Sequence, residues 1–137
     1  MTQTWSHGLL RDLSEQDCRR LLDSRSVGRL AFVDDEGPVV LPVNYVSNEG
    51  AVLLRISPHS SIGLHVRDRI VAFEVDDFDE DTRSGWSVLL RGTAGFVDAD
   101  DLPVGLDARP QPWPEGVRSL HVRITPRSVT GRRLVAE

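Results

Sequence analysis

The chain has 137 residues, enough to bury one hydrophobic core, and its 39% hydrophobic and 27% charged residues are the balance of a globular domain rather than a disordered one. A net charge of −5 argues against a nucleic-acid binder, which carries a basic excess. Cys18 is the single cysteine, which rules out an intrachain disulfide framework, and no run approaches the roughly 18 apolar residues that span a bilayer.

The opening "MTQTWSHGLL" has no basic stretch followed by an apolar segment, so it does not read as a signal peptide, and a soluble cytoplasmic protein is expected. Leu13 to Ser24 reads as a helix. Ser14 can cap it, Asp17 stands where a capping box places its acid, and Cys18, Leu21 and Leu22 form an apolar stripe. Cys18 therefore reads as packing. From Val27 onward the pattern changes to period two. Strands are expected over 27–33, 39–46, 51–56, 70–75, 86–97 and 120–125. Val39, Leu41, Val43 and Tyr45 share one face of the second, and Leu120, Val122 and Ile124 point inward from the last.

The segments "DDEGP" and "SNEG" supply turns, and the acidic "DDFDED" at 76–81 reads as a solvated hairpin tip. A short helix from about Ser60 to Arg67 interrupts the strand series. Pro42 inside a strand demands an edge or a bulge, and Gly92 and Gly95 would let the long fifth strand bend. Six strands with mostly short turns make a mainly β fold, an antiparallel barrel closed or nearly so, in a single domain over residues 1–137. The segment 102–117 is a long irregular connection with four prolines. Trp113, between Pro112 and Pro114, is a stiff apolar wedge that either covers the open end of the barrel or closes over a ligand or a neighbouring subunit.

The chemistry-bearing residues exclude more than they offer. His7, His59, His65 and His121 are scattered without metal-ligand spacing, so no metal site is expected. There is no G-x-S-x-G elbow and no G-x-G-x-x-G turn. The segment "RISPHSS", residues 55–61, stands apart. Arg55 can grip a phosphate bidentately, Ser57, Ser60 and Ser61 add hydroxyls, and the last two open a helix whose N–H groups favour an anion. The same residues also make a plain strand-to-helix connection with a capped helix, and both readings stand.

The order of the pieces adds to this. "LSEQDCRRLLDSRSVGRLAFV", "GPVVLPVNYV", "LRISPHSS", "RIVAFEVDDFDEDTRSGWSVLLRGTA" and "RITPRSVTGRRL" together resemble the pyridoxamine 5'-phosphate oxidase-like family of FMN-binding split barrels, in its small bacterial, nitroimidazole reductase-like branch. The resemblance spans residues 11 to 134, with "PVNYV" and "DDFDEDTRSGWSVLLRG" its most specific parts. It implies a six-stranded split-barrel homodimer with FMN at the subunit interface. By position, Arg55, Ser57, Ser60 and Ser61 would hold the phosphate. Asn44, Tyr45, Trp86 and Ser87 would flank the ring, and Trp113 of a partner would close the site.

One departure is visible: Ser61 stands where many relatives carry a lysine, which removes a positive charge from the phosphate end. The implied activity is an FMN-dependent oxidoreductase or reductase acting on a small molecule that the sequence does not identify. Two alternatives stay open. One is a deazaflavin enzyme whose cofactor tail follows Arg67, Arg69, Arg132 and Arg133. The other is a non-catalytic flavin-binding, haem-binding or regulatory protein, with or without a cofactor. Neither a nucleic acid nor a membrane is an expected partner.

Overall fold

The computed structural model describes residues 9–102 and 120–135. In chain order these form β1 (Leu9–Asp12), α1 (Glu15–Asp23), β2 (Val27–Asp34), β3 (Gly37–Asn44), β4 (Val46–Asn48), β5 (Ala51–Ile56), α2 (Ser61–His65), β6 (Ile70–Asp79), β7 (Ser84–Val97), a single 3-10 turn (Ala99–Asp101) and β8 (Leu120–Val135). No described helix is long and apolar enough to cross a membrane.

All the strands join one antiparallel sheet in the order β3-β2-β6-β7-β8-β5-β4. The two edges of that sheet, β3 and β4, are consecutive in the chain and separated only by Tyr45. The sheet therefore curls until its edges meet, and the barrel is split along the line that Tyr45 crosses. β8 carries two strands on its other side, β5 along residues 120–124 and β1 along 132–135.

Alternation drives the curl. Leu30 and Phe32 of β2, Phe73 and Val75 of β6, Val88 and Leu90 of β7, and Val122 and Ile124 of β8 all point inward and are buried. Cys18 and Leu22 of α1 close one side of the same core, so the thiol is packing. Each large side chain fully buried here contributes about 1.5–3 kcal/mol. α1 begins where the sequence places it, with Ser14 accepting the Asp17 backbone N–H at 3.1 Å. The helix lies so close to β8 that a Cβ on Gly131 would come within 2.7 Å of the Cys18 sulfur.

The described residues form eight strands where six were expected. β1, only four residues long, carries too short a pattern to detect, and the expected strand over 39–46 breaks at Tyr45 into β3 and the start of β4. β6 continues to Asp79, so Asp76, Asp77 and Asp79 of the acidic run are strand residues and the hairpin turn is 80–83. β8 continues past Thr125 to Val135. Pro126 reads as a strand end, yet it sits opposite Gly92 at a register shift, where Arg127 is the extra residue and the ladder resumes with Arg91 opposite Ser128. A Cβ on Gly92 would meet the Thr125 carbonyl oxygen at 2.2 Å, so only glycine admits this crossing of the strands. Pro42 lies in β3, an edge strand as its lost N–H requires.

Candidate functional site

The segment after β5 folds into a compact turn. The Ser60 hydroxyl donates to the Ser57 carbonyl at 2.6 Å and accepts the Gly63 backbone N–H at 3.1 Å, capping α2. The Ser57 hydroxyl accepts the His59 N–H at 3.3 Å, and His65 Nδ1 lies 2.8 Å from the Ser61 carbonyl. Two of the three serines thus hold their own turn together. Arg55 stands on the outer face of the barrel, because Val52 and Leu54 occupy the inner one, and its ladder partner is His121.

The ring-flanking candidates are distributed differently. Tyr45 is 3% exposed, with its ring edge-on to Phe73 (centroids 4.8 Å apart, planes at 69°). Its hydroxyl donates to the Leu22 carbonyl of α1. Burial and the nearby Asp23 carboxylate push its pKa well above the ordinary tyrosine value, so it stays a neutral donor. Trp86 faces inward from β7 at 8% exposure, with the Arg25 guanidinium 5.5 Å from its ring centroid. Arg25 also pairs with Asp77, the residue opposite Trp86 on β6. Ser87, the next residue, faces out. Asn44 ends β3, half-buried, opposite Val27. Trp113 lies outside the described residues.

The phosphate-side residues 55–61 are therefore contiguous, whereas the ring-side residues do not share a face. Arg55 meets β8 at His121, and Ser87 meets it at Arg132, eleven positions further along. Within one chain Arg55 and the Trp86–Ser87 pair meet opposite ends of the same strand.

The outer face also holds an arrangement that sequence reasoning missed. A groove of about 770 Å³ opens between the C-terminal end of α1 and β4, lined by Arg19, Asp23, Arg25, Tyr45 and Ser47 among others. A second, of about 710 Å³, runs over β6, β7, β8 and the end of β1. Ser87, Arg91, Arg132, Glu74, Asp12 and Leu89 line it. At its edge Arg29 Nη1 lies 3.4 Å from both Glu74 Oε1 and Asp76 Oδ1. Glu74 is pushed up to about 7, first by burial and then by its hydrogen bond to Asp76 and that residue's charge, against the opposing pull of Arg29. The signal is present in "FEVDD": two acids two positions apart share a strand face, but ending the strand at Val75 and assigning Asp76 to the hairpin tip separates them.

Comparison with known proteins bears on this geometry. The family model for pyridoxamine 5'-phosphate oxidase matches residues 14–133. The chain is 32% identical over 131 residues to the uncharacterized protein Rv0080 of Mycobacterium tuberculosis, covering 92% of this chain and 86% of that one. Among solved structures, the FAD binding protein from Mycobacterium smegmatis is 29% identical with a TM-score of 0.70, covering 91% of this chain and 98% of its own. A conserved protein from Corynebacterium diphtheriae, DIP1874, is 32% identical with a TM-score of 0.76, covering 92% and 98%. With the split barrel, the motif order and a match over nearly its whole length in agreement, the chain belongs to the pyridoxamine 5'-phosphate oxidase family.

Proposed function

We propose that the protein is a flavin-dependent oxidoreductase of a small molecule, holding FMN between two copies of itself. The observation that carries this reading is the placement of the two residue sets. Arg55, Ser57, Ser60 and Ser61 gather beyond one end of the β5–β8 ladder, and Ser87 and Trp86 sit toward the other end of β8. A single ligand that uses both sets is best served by a second copy laid alongside in the opposite sense. The FAD binding protein from Mycobacterium smegmatis, alike over nearly its whole length, supports a flavin in general; FMN is the finer part of the proposal.

A bound flavin supplies the hydride or electron chemistry, and the chain's residues bind and orient it. Arg55 gives a charged, forked donor for a phosphate. Ser61 can add a hydroxyl, whereas the hydroxyls of Ser57 and Ser60 shape the turn that presents the other two. Asn44 lies at the barrel split, Trp113 of the partner would close the ring side, and the deazaflavin alternative would use the exposed Arg67, Arg69 and Arg132 together with Arg133.

The test is a visible absorption spectrum of the purified protein before and after adding FMN, with light scattering on the same sample. A flavin spectrum carried by a dimer and lost in Arg55→Ala supports the proposal. A monomer at micromolar concentration, or a protein whose melting temperature neither FMN nor a deazaflavin shifts, overturns it. A second reading has its own observation. With a lysine replaced by Ser61 and two serine hydroxyls spent on the turn, the phosphate end is weakly cationic, which favours a non-catalytic binder. That binder would take up ligand but pass no electrons from reduced flavin to any acceptor.

A further inference from the structure

The outer groove over β6, β7 and β8 has a composition of which the FMN reading uses only Ser87. Its outward-facing apolar side chain is Leu89, with Leu13 and Val129 of its lining packed against the core, and its polar lining holds two cations and two anions. The cations are Arg91 and Arg132, which form no ion pair among the described residues. The anions are Asp12, at the ladder position opposite Arg132, and Glu74. At 31% side-chain exposure Glu74 is the less solvated member of its pair with Arg29, and Asp76 stands two residues along the same strand face. Every element packed around Glu74 contributes a known group. β2 presents Arg29 and β6 presents Asp76. β7 presents Leu89 directly opposite, with Ser87 and Arg91 on the diagonals, β8 presents Arg132 and Thr130, and β1 presents Asp12.

Arg29 is shared between two carboxylates and cannot neutralise both. One proton on the acid pair resolves this. It leaves Arg29 matched to a single negative charge, and it turns the groove from electrically balanced into one with an excess positive charge beside Leu89. We propose that this groove binds a small organic anion, an apolar body bearing a carboxylate or similar group, and that a proton taken up by the Glu74–Asp76 pair strengthens the binding. Arg91 and Arg132 meet the anionic group, Ser87 and Thr130 offer hydroxyls, and Leu89 receives the apolar body. Because Ser87 is also a ring-side candidate, this deepens the proposed function by naming the class of its substrate, and it rests on that reading only for the word substrate.

The test uses the full chain freed of any flavin, with benzoate and benzamide as probes of equal shape and different charge, titrated calorimetrically. Benzoate is expected to bind roughly tenfold more tightly than benzamide, and roughly tenfold more tightly at about pH 6 than at about pH 8. Arg91→Gln and Arg132→Gln each remove most of the preference for benzoate. Glu74→Gln, checked for folding by its thermal transition, binds benzoate at pH 8 as the parent does at pH 6 and shows a flat pH profile. Equal binding of the two probes, or indifference to both arginine substitutions, overturns the site. A pH dependence that persists in Glu74→Gln overturns the proton control, and if that variant fails to fold, a flat profile in the parent protein does the same. A protein that shows a flavin spectrum yet ignores benzoate refutes this inference and not the flavin reading; the reverse result refutes only the flavin reading.

Discussion

The Tyr45 hydroxyl donates to the carbonyl of Leu22, and through that bond the residue that crosses the split in the barrel is fastened to the last turn of α1. Its ring meanwhile abuts Phe73 in the core. Tyr45→Phe keeps the ring packing and strands a buried carbonyl, so a stability loss of about 1–2 kcal/mol is expected in urea titration. Flavin affinity in the same variant should change little, because the ring faces the core; a large loss of flavin with unchanged stability would contradict the packing described here.

Glu74 gives stability a pH dependence. Its folded-state value of about 7 lies above the ordinary 4.5, so between those values the folded chain keeps a proton that the unfolded chain has released. Stability therefore falls as pH rises through that window and levels off above it. Glu74→Gln should remove the fall, making the variant more stable than the parent by about 1–2 kcal/mol at pH 8 and no more stable at pH 4, as read from thermal unfolding at the two pH values.

Two glycines of β7, Gly92 and Gly95, should differ sharply. Gly92→Ala drives a methyl against the Thr125 carbonyl and should cost about 2–4 kcal/mol, visible as a lowered urea midpoint. Gly95→Ala meets no atom within 4 Å and should be close to neutral in the same assay.

Ser60 is both donor and acceptor within its own turn, so Ser60→Ala should destabilise the protein by about 1 kcal/mol with no ligand present. Ser61→Ala, tested alongside by thermal unfolding, should leave the free protein nearly unchanged and lower only its response to FMN.

The comparison of sequence with structure divides along physical lines. Period-two patterning located six strands, because each buries one face, and Ser14 and Ser60 marked helix starts because their side chains satisfy N–H groups that a helix leaves open. β1 and β4 escaped, since three or four residues display no period, and Pro126 concealed the second half of β8 because a register shift shelters it. At the site, the residues of "RISPHSS" were legible as a unit. The hydrogen-bond duties of its serines were not, because one hydroxyl serves a cap or a phosphate equally well. The clustering of Arg29, Glu74 and Asp76 needed the β2–β6 register, and no local pattern announces a pairing between residues some 45 positions apart.

β8 pairs with β7, with β5 and with β1, so it is the strand against which three others find their place. It is also the last of the described strands to leave the ribosome. Until it does, β5 and β7 have no neighbour on that side, and the sheet can neither curl nor shut. Contacts between residues far apart in sequence must therefore form together, after synthesis of the whole barrel, and such topologies fold in milliseconds to seconds rather than microseconds. In the interval the nascent chain displays open, apolar strand edges, which makes the time before β8 docks its most aggregation-prone moment.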